Sequence, residues 1–173
     1  MTVLHRIRLF LILSAVCAVQ AGSLAQRTTY GVTADVTNEA ALLKAVTYTF
    51  VPGQPAYDKA LDQLIIAAID RELSARGVTK APSGRSEIVV TYLSVRRTDV
   101  DLKSKPSPKD GTLREYPVGT LVVSISDPAD RQKKLFNGRI DEPLDLDPAT
   151  YETTIKTAVA AIFEKYPRKI KTP

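Results

Sequence analysis

Two stretches of the chain repeat apolar residues at helical spacing. Tyr57, Leu61, Leu64, Ile65, Ala68, Ile69 and Leu73 form one stripe at a period near 3.6, with Asp58, Asp62 and Arg71 lying off it. Pro55 suits the first turn of that helix, and Arg76 with Gly77 makes its stop, since glycine enters the left-handed conformation cheaply. Tyr151, Ile155, Ala158, Val159, Ile162, Phe163 and Tyr166 form the second stripe, opened by Pro148 and ended by Pro167. Elsewhere the alternation is that of strands. Thr28–Val36 places Tyr30, Val32, Ala34 and Val36 on one face, and Lys44–Val51 places Val46, Tyr48 and Phe50 opposite Thr47 and Thr49. Glu87–Val95 is apolar on both faces, as a central strand is. Gly119–Ser126 and Lys134–Ile140 read as a hairpin around the turn Asp127-Pro128-Ala129-Asp130, with Gly138 marking a bulge. The polar stretch between Arg96 and Tyr116, with Pro106, Pro108 and Gly111, reads as an exposed loop near residues 97–115 or as a ragged strand extension. There is no internal repeat. The predicted order is ββαβββα, an α+β fold with a twisted, mostly antiparallel sheet and two helices packed on one face.

The N-terminus has a different character. His5, Arg6 and Arg8 precede an uncharged apolar run, Leu9 to Val19, and then small residues, the order of a secretory signal. The apolar run falls short of the roughly 20 residues that span hydrocarbon, so cleavage is expected rather than anchoring. Small residues at Ser23 and Ala25 place the cut before Gln26, with Gly22 as the second site. Ser14-Ala15-Val16-Cys17 only partly resembles a lipobox, and Cys17 reads as a small apolar residue of the signal. The expected organisation is a signal over 1–25, one α+β domain over 26–173, and a basic C-terminal tail. Losing residues 1–25 removes two of the 24 basic residues and none of the 19 acidic ones, which leaves a mild excess of three positive charges.

Composition then narrows the chemistry. His5 and Cys17 are the only histidine and the only cysteine, and both fall inside the signal; tryptophan is absent. The mature chain therefore has no Ser-His-Asp or Cys-His system, no histidine-ligated zinc and no disulfide. Carboxylates are what remains. Asp141, Glu142, Asp145 and Asp147 could offer oxygen ligands to calcium, but the segment lacks the glycine and alternating ligands of an EF-type loop. Capping and solvation at the start of the second helix account for them better, with Asp147 as the cap. Asp99 and Asp101, with Lys103, Lys105 and Lys109, read as a solvated loop, and Asp127 as a turn former bonding the backbone two residues on. Tyr48, Phe50, Tyr92 and Phe136 read as core aromatics; on an uncovered sheet face the same set would line a groove. Lys165, Arg168, Lys169 and Lys171 form a tail able to touch an anionic surface. No basic patch interleaved with aromatics points to nucleic acid.

Several segments, in order, also resemble a known family: Thr47-Tyr48-Thr49-Phe50, Leu73 with Arg76-Gly77, Glu87-Ile88-Val89-Val90-Thr91-Tyr92, Gly119-Thr120-Leu121 running to Asp127, Leu135-Phe136-Asn137-Gly138, and Phe163-Glu164-Lys165-Tyr166-Pro167. From about Tyr30 to Pro167 the chain resembles the bacterial envelope proteins grouped as domain-of-unknown-function family 4136. Phe50 and Phe136 stand where that family commonly has tryptophan, and the lipobox of many members is missing here. The resemblance implies export and an α+β fold, and carries over no catalytic residue. The expectation is a periplasmic or secreted, non-catalytic domain that binds an unidentified envelope protein or glycan, without cofactor or metal. An outer-membrane lipoprotein is disfavoured. The competing expectation is a carboxylate-based hydrolase of envelope glycan or peptide.

Overall fold

The computed structural model describes residues 31–51, 53–56, 58–82, 85–143 and 148–169. The expected signal over 1–25, Cys17 and the junctions at Gly22 and Gln26 lie outside the described residues, as do Tyr30, Tyr57, Asp145, Asp147 and Lys171. Along the chain run β1 (Val32–Val36), α1 (Glu39–Lys44), β2 (Thr47–Phe50), α2 (Lys59–Ser74), β3 (Thr79–Lys80), β4 (Ile88–Val100), β5 (Glu115–Ser126), β6 (Lys134–Pro143) and α3 (Pro148–Phe163). The α+β class and the mostly antiparallel sheet hold. The expected order ββαβββα does not, because it lacks α1 and β3.

The six strands form one sheet in the order β1-β6-β5-β4-β2-β3. β1, β6, β5 and β4 pair with one another in turn antiparallel, whereas β2 runs parallel to both β4 and β3. α2 supplies the long connection that parallel neighbours require. Register decides which side chains share a face. Val90 lies opposite Ile125, and Ile125 opposite Phe136; Tyr92 lies opposite Val123, and Val123 opposite Gly138. These residues and Ile140 belong to one core with Ile65, Ala68, Ile69 and Leu73 of α2 and Val159, Ile162 and Phe163 of α3. Leu42 of α1 joins the same core, so all three helices lie on one face of the sheet. On the other face Thr91, Leu93, Val95, Val122 and Ser124 are partly exposed, and none of the described helices packs there.

Local chemistry sets the helix boundaries. α2 begins at Asp58, not at Pro55, because the Asp58 side chain accepts from the Ala60 and Leu61 amides at 2.7 and 3.3 Å. It ends where Gly77, at φ 75°, allows the Val78 amide to reach back to the Leu73 carbonyl at 3.0 Å. The stripe expected on α2 is rotated slightly: Leu64 is only half-buried, and Ile69 and Leu73 are fully covered. In α1, Asn38 accepts from the Ala41 amide at 3.0 Å, so the segment expected to begin a strand at Lys44 is helical up to that residue. Val46, expected to share a face with Tyr48, precedes the strand and is 48% exposed.

Gly138 is not at a bulge; the register shift lies between Ile125 and Ser126. Its role is clearance. A Cβ there would stand 2.4 Å from Ile162 Cγ2 and 3.0 Å from the Phe136 ring. The residues expected as a loop near 97–115 also divide: Arg97 to Val100 pair with Val118 to Glu115, and the reversal occupies 101–114. That reversal is internally bonded, with the Asp101 amide donating to the Arg114 carbonyl and the Ser107 amide to the Thr112 carbonyl, both at 2.7 Å.

Ile69→Ala and Ile162→Ala should each cost about 2–5 kcal/mol in urea denaturation, and Leu64→Ala clearly less, because only the first two empty a closed site. Gly138→Ala should cost about 1–3 kcal/mol through overpacking. In an Ile162→Leu background, which lacks the β-branch methyl, that cost should shrink. An unchanged cost would place the clash elsewhere.

Candidate functional site: a cleft where two helices part

α2 and α3 run in the same direction across the sheet, since their C-terminal ends meet each other and so do their N-terminal halves. At the C-terminal end the contact is tight. Arg76 donates to the carbonyl of Phe163, the last residue of α3, at 2.6 Å, and to the Glu72 carbonyl and carboxylate at 2.7 and 2.8 Å. Its guanidinium also lies over the rings of Phe163 and Tyr166, 5.2 and 5.9 Å from their centroids. Phe136 completes the cluster, 6.1 Å from Phe163 and 5.5 Å from Tyr166. Burial pushes the Tyr166 phenol up to about 12. The absent side chain at Gly138 is what lets Ile162 settle onto the sheet here.

Toward their N-terminal ends the helices separate and leave a cleft of about 360 Å³. Ile65, Leu121, Ile140 and Ala158 form its buried floor, with Leu61 and Ile155 half-buried along its sides. Polar groups gather at the rim: Asp58 and Ser94, Arg96 and Glu142, Tyr151 and Thr154. Gly119 lines the cleft from β5. An apolar floor under a few convergent polar groups is the usual form of a small-molecule site.

None of the rim residues except Glu142 and Tyr151 stood out in the sequence, and those two did so for other reasons. Glu142 was grouped with an acidic loop, yet Asp141 and Glu142 belong to β6. Asp145 and Asp147, the other two acids of that segment, lie outside the described residues. No three acidic, histidine or cysteine side chains among the described residues converge as metal ligands would. Tyr48, Phe50, Tyr92 and Phe136 all face the helices. Tyr48 and Phe136 are fully buried, and Phe50 is partly covered, with Lys80 Nζ 5.1 Å from its ring centroid. Asp99 is in β4 rather than a loop, whereas Asp101 and Asp127 cap turns, accepting from the Lys103 and Ala129 amides at 3.0 and 2.9 Å. In the tail, Lys165 and Arg168 are exposed and Lys169 reaches the Ala45 carbonyl at 3.4 Å.

The remaining carboxylates hold the frame. Tyr92 donates to Asp62 at 2.6 Å, and Tyr48 donates to Asp70, so two acids beside the apolar stripe of α2 tie the helix to the sheet. Burial, and then the neighbouring carboxylate, raises both phenols well above their ordinary value. On the open sheet face Asp141 accepts from Arg97 at 2.7 Å and from Arg139 at 2.8 Å, and from the Thr120 hydroxyl. Arg97 also donates to Asp99 at 2.8 Å. The Arg139 bonds, helped by Thr120 and Arg97, outweigh burial and hold the Asp141 carboxyl well below the usual carboxylate range.

The sequence profile described as "Domain of unknown function (DUF4136)" matches residues 32–168, and so takes in the sheet, the helices and the cleft. The chain belongs to the DUF4136 family. Comparison with curated proteins finds no match. Among solved structures, this DUF4136 domain is similar to a PDZ domain protein from Parabacteroides distasonis ATCC 8503, with a TM-score of 0.53 and 13% identity over 83% of this chain. It spans only 37% of that protein's length. It is also similar to the PelC dodecamer from Paraburkholderia phytofirmans, with a TM-score of 0.51 and 12% identity, covering 80% of this chain and 99% of that one. At such identities the likeness concerns the fold alone. No helix among the described residues of the DUF4136 domain is long and apolar enough to cross a membrane.

Asp141 gives the domain a pH signature. Its folded pKa lies below the unfolded value of about 3.9, so its contribution to stability is fully present above that value and is lost as pH falls beneath it. The stability gap between wild type and Asp141→Asn should therefore be largest near neutral pH, begin to narrow below about pH 5 and go on narrowing below about pH 3. Urea titrations at several pH values measure this, and a pH-independent gap would contradict it.

Proposed function

We propose that this chain is an exported, non-catalytic domain of the bacterial cell envelope that binds an envelope component or partner in the cleft between α2 and α3. The observation that carries this reading is the cleft itself. Two helices packed tightly at one end part at the other, over a continuous apolar floor with a polar rim. Family membership and the N-terminal residues that read as a secretory signal support the envelope setting. The work assigned to the acids supports a non-catalytic role: Asp62 and Asp70 hold tyrosines, and Asp141 holds arginines. Hydrolysis by two carboxylates would fall to Asp58 and Glu142, the acids at the rim. Asp58 is turned to the amides that begin α2, which leaves no second acid for Glu142 among the described rim residues.

A photo-crosslinking amino acid at Ile155, inside the cleft, should capture an envelope component when intact cells are irradiated. The same group at Val122 on the open sheet face should not. Mass spectrometry of the recovered chain should give an N-terminus at Gln26. Capture only from Val122, or from neither position, would overturn the assignment of the cleft.

A further inference from the structure

The lining of the cleft narrows the ligand, and this step rests on the cleft being the binding site. Its floor and sides are aliphatic: Leu61, Ile65, Leu121, Ile140, Ile155 and Ala158. Among the described lining residues the one aromatic ring, Tyr151, lies at the rim. A sugar would need polar partners along its length, and the floor offers none. A planar ring would lack an aromatic face to stack on. A flexible hydrocarbon chain asks only for a continuous aliphatic surface. With roughly 30 Å³ for each water-sized group, the cleft holds on the order of ten such groups.

The rim supplies a sign of charge. Arg96 lines the cleft from β4, is exposed and, among the described residues, has no ion-pair partner. Asp58 is committed to the Ala60 and Leu61 amides, and Glu142 has an interaction of its own. The positive side of this rim is therefore the less satisfied one.

We propose that the cleft binds one unbranched aliphatic chain ending in an anionic group, with the chain on the Ile65–Leu121–Ile140–Ala158 floor and the anion at Arg96. A free fatty acid and a single-chain anionic lipid share this chemistry.

The test uses the chain as purified from the cells that make it, with dansylundecanoic acid as the fluorescent probe. The probe should bind saturably, and laurate or lauroyl lysophosphatidylglycerol should displace it; whichever competes names the source of the chain. Arg96→Glu should weaken laurate about tenfold, a factor in keeping with the loss of one charge-assisted hydrogen bond, while leaving dodecanol unchanged. Ala158→Trp should abolish probe binding by filling the floor. Because that change could disturb helix packing, Thr154→Trp at the half-exposed rim provides an independent block, checked by an unchanged melting curve. Displacement by neither amphiphile, or equal displacement from the wild type, Arg96→Glu and Thr154→Trp, would overturn the proposal. A crosslinked adduct at Ile155 in cells without binding of either amphiphile would overturn the aliphatic anion and leave the cleft's binding role standing.

Discussion

The architecture turns on Arg76. One guanidinium joins the C-terminal ends of α2 and α3, bonding the last carbonyl of α3 while lying over Phe163 and Tyr166. Its side chain is only 10% exposed, so these interactions work in surroundings that screen them little. Two parallel helices fixed at one end and carried on a twisted sheet must diverge toward the other. The cleft follows from that divergence. Two small residues, Gly119 on β5 and Ala158 on α3, line it. At the joined end Gly138 removes the side chain that would have held Ile162 away from the sheet.

The long periodic elements were legible in the sequence. α2, α3 and the strands β4, β5 and β6 all bury one face over many residues, and such a pattern survives small errors of phase. The short elements were not. α1 has six residues and one fully buried side chain, Leu42, too few for a stripe, although Asn38 followed by good helix formers was a usable signal. β3 has only two residues and both are exposed, so its pairing with β2 rests on backbone bonds that no side-chain pattern announces. Arg97 to Val100 looked like loop for a related reason. That end of β4 is held by its register with β5 and by Arg97 bonding Asp99, Thr120 and Asp141, not by apolar alternation.

The candidate site was still less legible. Leu61, Ile155 and Ala158 belong to the same stripes that announce a buried helix face, and nothing in their spacing separates a side chain packed on its neighbours from one lining a void. Asp62 and Asp70 show the converse. Both lie off the apolar stripe, yet each accepts from a tyrosine whose hydroxyl would otherwise have no partner beneath the helix.

The placement of β1 has a consequence for the order of assembly. Val32–Val36 is the first strand among the described residues, and its partner residues on β6, Phe136 to Ile140, lie roughly a hundred residues later. The β4–β5 hairpin can close from neighbouring residues, whereas β1 must wait for a loop spanning most of the chain. As the chain leaves the ribosome, its earliest strand stays unpaired until nearly everything else exists. Until then the outer edge of β6 offers its backbone to any extended segment that arrives first. The strand made first is the one whose place is decided last.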